Sequence, residues 1–168
     1  MTLADIALST RQQSILNVSR LVKLVEEYGY STLPLLKAAA IEPTLLLDPR
    51  AKITLQQELS FVAAMLKTMH EPDMGFHAGQ CYKFSAFGNL GMAVASCEKV
   101  EDAILLFLKY RRLSYTHFDI SFFKDKGKAV LRFKDQYDLG ELRQFYIERD
   151  FSFCLISTRD MFPRSLAD

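Results

Sequence analysis

The sequence predicts an α+β fold: a mostly helical single domain with a small antiparallel sheet or hairpin near residues 115–134, covered by helices. Two observations carry this. Apolar residues recur every three to four positions over most of the chain. Between residues 117 and 134 that spacing gives way to alternation around a glycine-containing turn. A chain of 168 residues is long enough to bury a core without disulfides or metal.

Residues 1 to about 10 read as a loose lead-in. Ile15, Val18, Leu21, Val22 and Val25 then predict a helix over 14–28, with Gly29 where a left-handed C-terminal cap is wanted. In "YSTLPLLKAAAIEP", Ser31 or Thr32 is placed to cap a short helix carrying Leu33, Leu35 and Leu36, and Pro43 limits its end. A single turn fits between Pro43 and Pro49. Thr54 and Gln57 form a capping box for the next helix, with Leu55, Leu59, Val62, Met65, Leu66 and Met69 as its buried face. Asp73 is positioned to cap a short helix bearing Phe76 and His77, although Gly75 and Gly79 weaken it.

"FSAFGNLGMAVASCEKVEDAILLFLKY" reads as two helices, over 86–96 and 99–112. In the second, Val100, Ala103, Ile104, Phe107, Leu108 and Arg111 share a face. Phe118, Ile120 and Phe122 then alternate with His117, Asp119 and Ser121, "KDKG" supplies a turn, and "KAVLRFK" a second strand. Asp138 with Glu141 opens a long helix through residue 162, with Leu142, Tyr146, Phe153 and Ile156 inside and Pro163 as its stop.

Twenty-one basic and 20 acidic residues leave a net charge of +1, which argues against this segment reading DNA itself. Cys81, Cys97 and Cys154 are odd in number and lack CxxC spacing, so free thiols in a reducing compartment are expected. No signal segment and no apolar run of about 18 residues is visible. The expectation is a cytoplasmic protein with no membrane contact.

Gly88-Asn89-Leu90-Gly91 satisfies neither a P-loop nor a dinucleotide fingerprint, so the glycines are expected to serve close packing. His77 and Cys81 stand four apart, but two ligands are not a zinc site, and nothing in the sequence requires Cys97 or His117 to complete a cluster in space. No metal and no cofactor are expected. No nucleophile motif occurs, and acidic pairs such as Glu101-Asp102 and Glu148/Asp150 read as solvated helix faces, so no catalytic residue is assigned. Aromatic residues crowd the helix-to-strand switch. They suit either core or an apolar pocket with a few polar groups. On the second reading the ligand-binding candidates are Tyr82, Phe84, Phe87, Tyr110, Tyr115 and His117. Without Trp, an amphipathic metabolite suits them better than a sugar.

"FGNLGMAVASCEKVEDAILLFLKYRRL" resembles a signature of the N-terminal, arabinose-binding-like ligand-binding domain of AraC-family bacterial transcription regulators. Phe87, Gly88, Leu90, Gly91 and Met92 match its F/L-G-x-L-G-Y/M segment, and Ser96 its serine run. Val100, Asp102, Ala103 and Ile104 stand in its T-L-x-E-A-L region, and Tyr110, Arg112 and Leu113 match its aromatic-basic close. "LLKAAAIEPTLLLDPRAKITLQQ" and "EPDMGFHAGQ" are similar to its upstream segments, so the resemblance covers about residues 17 to 162. Lys99 stands where the family has a capping Thr, and Ala40 where it commonly has Gly.

The resemblance implies an effector-binding and dimerisation domain over residues 1–163, with 164–168 starting a linker to a C-terminal region of two helix-turn-helix motifs. It implies a small-molecule effector, a homodimer, and DNA contact through that C-terminal region alone. The long helix from Asp138 to Phe162 is the first choice for the dimer contact. A stand-alone small-molecule-binding protein or small enzyme is the alternative.

Overall fold

A computed structural model describes residues 10–161. The chain is α+β and mainly helical, with seven α-helices and two small antiparallel sheets among the described residues. It packs as two compact units, one ending at Met74 and the other beginning at Gly75. The expected lead-in, the Pro163 stop and the linker lie outside the described residues.

The first unit contains β1 (Gln12–Ser14), α1 (Leu16–Glu27), α2 (Leu33–Ala38), a 3₁₀ turn at Pro43–Leu47, β2 (Lys52–Thr54) and α3 (Leu55–Met69). β1 and β2 pair antiparallel, Gln12 opposite Thr54 and Ser14 opposite Lys52. Nothing in the sequence pattern signals this ribbon, because three residues are too few to show a period. Val18, Leu21 and Val25 of α1, Leu35 and Leu36 of α2, and Leu55, Phe61, Val62 and Met65 of α3 are buried. The inner face of α3 differs from expectation at three positions: Leu66 is half-buried, while Phe61 and Glu58 are fully buried. On α2, Leu33 faces solvent.

The capping box of α3 is present, with the Gln57 N–H donating to Thr54 Oγ1 (3.1 Å) and the Thr54 N–H to Gln57 Oε1 (2.9 Å). Thr32 occupies the N-cap of α2 but its backbone is already helical and its side chain makes no cap bond. The first turn holds Pro34 instead, which lacks an N–H to satisfy. Both α1 and α2 end in the same double bond pattern. After α1, the Tyr30 N–H reaches Val25 O (3.1 Å) and the Gly29 N–H reaches Glu26 O (2.9 Å). After α2, the Ile41 N–H reaches Leu36 O (2.9 Å) and the Ala40 N–H reaches Lys37 O (3.1 Å). The motif requires a left-handed residue. Gly29 supplies it at φ 80°, whereas Ala40 is held at φ 51° with a Cβ in the way.

The second unit holds α4 (Met74–Gln80, its first residue closing the preceding unit), a 3₁₀ turn at Phe84–Phe87, α5 (Gly88–Ala95) and α6 (Val100–Lys109). A 3₁₀ turn at Arg111–Leu113, strands β3 (Phe118–Asp125) and β4 (Lys128–Asp135), a 3₁₀ turn at Gly140–Leu142 and α7 (Arg143–Met161) complete it. The hairpin register pairs Phe118 with Asp135 and Asp125 with Lys128. That leaves Lys126-Gly127 as a two-residue loop with both residues left-handed, φ 48° and 79°, the turn that matches strand twist.

Three boundaries differ from the sequence reading. Asp73 is left-handed (φ 57°), not in the extended conformation of an N-cap. α6 stops at Lys109, because Tyr110 (φ −110°, ψ 19°) leaves the helical region. α7 begins at Arg143 because Asp138 does not build a capping box with Glu141; its Oδ1 accepts from the Gly140 N–H (3.0 Å) in a local turn.

The glycines of α4 are explained by packing. A Cβ on Gly75 would lie 2.5 Å from the Phe145 carbonyl oxygen, and one on Gly79 would strike that of Arg149. The two glycines let α4 approach the backbone of α7, and Ser152 Oγ donates to the Phe76 carbonyl (2.9 Å) across the contact. Gly91 plays the same part in α5, where a Cβ would overlap the Phe84 carbonyl. In the G-x-x-G segment Gly91 therefore serves packing, while Gly88 has open space around it and is there for its left-handed backbone (φ 54°).

Ala40→Gly relieves the left-handed alanine and gains about 0.5–1 kcal/mol. Lys99, the uncapped N-cap of α6 (φ −118°, ψ 140°), gains about 1 kcal/mol as Lys99→Ser. The two sites share no partners, so in the double variant the gains add. Urea unfolding checks this: the midpoint rises with an unchanged slope.

Candidate ligand-binding site

The second unit contains a groove with two arms. The first is apolar. Val100, Ala103, Ile104, Phe107 and Leu108 of α6 form one wall, Ile120 and Leu131 of the hairpin another, and Phe153, Ser157 and Met161 of α7 a third; Phe84 and Val94 complete it. Its cavity volume is ≈ 50 Å³. These side chains converge because α6 presents the face predicted by its spacing, and because Leu90, Val94 and Ala103 form a small core against which Phe84, Phe87 and Phe107 pack.

The second arm, ≈ 20 Å³, is lined by Tyr82, Phe87, Ser114, Tyr115, Thr116, Arg149 and Asp150. Phe107, Ile120, Phe153 and Cys154 line both arms, so the two lie against each other. Phe87 is the hub of the aromatic walls, with ring centroids 5.1 Å from Phe153, 5.4 Å from Tyr115 and 6.0 Å from Phe107.

The polar end is organised by a buried ion pair on adjacent residues of α7. Arg149 Nε donates to Asp150 Oδ1 at 2.8 Å, and Nη2 donates to the Tyr115 carbonyl at 2.7 Å. Asp150 Oδ2 accepts from Thr116 Oγ1 at 2.6 Å. Only 2% of the Arg149 side chain is exposed, and its guanidinium lies over the rings of Tyr146 (4.8 Å) and Tyr82 (5.6 Å). This corrects the sequence reading of Asp150 as part of a solvated acidic face. Burial pushes the Cys154 thiol up to about 12, and the Asp150 carboxylate adds to the shift.

Four of the six residues singled out from the sequence stand on the groove: Tyr82, Phe87 and Tyr115 on its polar arm and Phe84 on its apolar arm. Tyr110 and His117 are not brought to it. Tyr110 is 44% exposed at the end of α6. His117 is buried with its ring edge-on to Tyr146, 4.6 Å between centroids. Arg149, Asp150, Thr116, Phe107 and Phe153 were not singled out as site residues. For Phe107 and Phe153 the helical spacing was the signal; for the ion pair there was none. Among the described residues no group of three His, Cys, Asp or Glu side chains is placed to hold a metal ion. Cys81, the expected helical neighbour of His77, directs its Sγ to the His77 carbonyl at 3.6 Å.

Apolar walls with a few convergent polar groups are the usual lining of a small-molecule site. The family described as the N-terminal arabinose-binding domain of AraC transcription regulators matches residues 29–167, and the chain belongs to it. The ornithine utilization regulator of Pseudomonas aeruginosa is 34% identical over 130 residues, 76% of this chain and 38% of that protein. An uncharacterized HTH-type transcriptional regulator of Mycobacterium tuberculosis is 28% identical over 148 residues, 88% of this chain and 43% of that protein. An HTH-type regulator of Mycobacterium bovis matches equally. The chain thus spans less than half the length of the curated relatives it matches. No helix among the described residues is long and apolar enough to cross a membrane.

Asp150→Ala strands the Arg149 charge and costs about 3–5 kcal/mol in chemical denaturation, whereas replacing both residues by Leu restores most of that loss. In thiol labelling at pH 8, Cys154 is the last of the three cysteines to react in the native protein, and all three react once it is unfolded.

Proposed function

We propose that the chain is the effector-sensing and dimerisation domain of a cytoplasmic AraC-type transcription regulator. On this reading it is not an enzyme. Residues 1–163 form the domain, and 164–168 lead to a C-terminal helix-turn-helix region through which the full protein contacts DNA. The observation that carries the reading is the two-armed groove, in a chain whose family is described by ligand binding.

A small molecule in the groove touches α6, the hairpin and α7 together. It therefore favours the arrangement in which those three elements are in register and shifts a pre-existing equilibrium. Moving that equilibrium from 1:99 to 99:1 takes about 5.5 kcal/mol of differential binding, within reach of a filled apolar arm and a few buried hydrogen bonds. α7 lines the groove as far as Met161, so occupancy is felt at the helix end that precedes the proposed linker. Phe151 and Leu155, four residues apart on α7, are 54% and 53% exposed; they supply an apolar stripe for a second copy of the chain.

Two measurements test this. In a thermal-shift screen of metabolites, a true effector at a hundredfold excess over its Kd adds about 2.7 kcal/mol and raises Tm by about 5–10 °C; a flat screen counts against effector sensing. In sedimentation, the chain runs as a dimer and Phe151→Glu with Leu155→Glu converts it to a monomer; a monomeric parent protein overturns the dimer assignment.

A further inference from the structure

We infer that the groove selects an uncharged amphipathic molecule: a short hydrocarbon body lying along α6, ending in a neutral hydrogen-bonding head, such as a hydroxyl or ketone, at the Arg149–Asp150 end. The inference rests on the effector-sensing reading and specifies its ligand class.

The size of the body follows from the apolar arm. Its volume is ≈ 50 Å³. A water-sized group needs about 10–15 Å³ of such space, so the arm takes about three to five carbons. The polar arm, ≈ 20 Å³, takes about one such group. A cavity walled by Val100, Ile104, Leu108 and Leu131 offers hydrocarbon its dispersion contacts, and its polar side chains, Ser157, Thr158 and Cys154, all lie on α7.

The charge of the head follows from the ion pair. Arg149 and Asp150 are the formally charged side chains on the groove, and they neutralise each other through contacts of 2.7 and 2.8 Å. Each is held further by the neighbouring segment, Arg149 on the Tyr115 carbonyl and Asp150 on Thr116. An anionic head meets the Asp150 carboxylate; a cationic head meets the Arg149 guanidinium. In both cases the newcomer is desolvated without a free counter-charge. A ligand hydroxyl donates to Thr116 or Ser114 Oγ, whose own protons go to Asp150 Oδ2 and the Arg111 carbonyl; a ligand carbonyl accepts from a tyrosine phenol; either leaves the pair intact. Cys154, on the wall shared by both arms, keeps its proton throughout the physiological range and adds no charge.

Three probes of equal length test the class: 1-hexanol, hexanoate and hexylammonium, titrated into the full 168-residue chain and followed by amide shifts in ¹H–¹⁵N NMR. The expected result is shifts centred on Phe107, Ile120 and Phe153, with hexanol binding at least tenfold tighter than either ion. From butanol upward, affinity rises about fourfold per methylene until the arm is full, then flattens. Ile104→Ala, which enlarges the arm, moves that plateau to longer alcohols. Hexanoate or hexylammonium binding as tightly as hexanol overturns the neutral class while leaving the sensing site in place. Binding of none of the three at millimolar concentration, or a chain-length profile unmoved by Ile104→Ala, overturns this groove as the site, and the proposed sensing mechanism with it.

Discussion

An arginine and an aspartate at adjacent positions of one helix, both taken out of water, set the terms for the second unit. A buried charge is tolerated when it is paired and its remaining hydrogen-bonding capacity is met. Arg149 and Asp150 meet part of that demand from each other and part from residues 115 and 116. The segment that leads into β3 is thereby fixed to the middle of α7. Tyr82 and Tyr146 lie against the guanidinium, and Gly79 lets α4 come down on the Arg149 carbonyl. Helix, strand entry and glycine stripe are arranged around one pair of charges.

That arrangement gives the groove two ends of different character. The polar end is held by short, directional bonds and resists displacement. The apolar end is built from side chains of α6, the hairpin and α7, which are joined by non-directional contacts. A ligand that fills the apolar end adds contacts between elements that otherwise touch lightly. A domain that must respond to a small molecule needs one anchored region and one that occupancy can bias, since a ligand shifts an equilibrium by its differential affinity alone.

Much of the fold was legible in the sequence. The helices at 16–27, 55–69 and 100–109 follow apolar spacing sustained over several turns. The Thr54–Gln57 box fixes a start, and the glycine of "KDKG" marks the hairpin turn, although Lys124 and Asp125 belong to the ladder and the loop is Lys126-Gly127 alone. Failures cluster where the period is too short to see or where a local signal has two uses. β1 and β2 have three residues each. Asp138 can cap a helix or fold back on Gly140, and it does the latter. Gly75 and Gly79 argue against a helix by propensity, yet they sit in one because α7 needs the space a Cβ would take. Four of the six residues picked from the aromatic excess line the groove, but composition does not say which way a ring faces; Tyr110 turned outward and His117 packed on Tyr146.

What the sequence determined by itself was the set of interactions that close within about one helical turn or one strand pair: spacing, the Thr54–Gln57 and Gly29 caps, the glycine-containing turn, and the motifs shared with AraC-type regulators. What the tertiary structure decided was the environment of Asp150. Its Thr116 partner, like the Tyr115 carbonyl that holds Arg149, lies 34 residues away in sequence. No pattern local to "IERDFS" distinguishes a buried charge from a solvated one. Burial of charge is settled by whether distant polar groups arrive to replace water, and the fold alone brings them there.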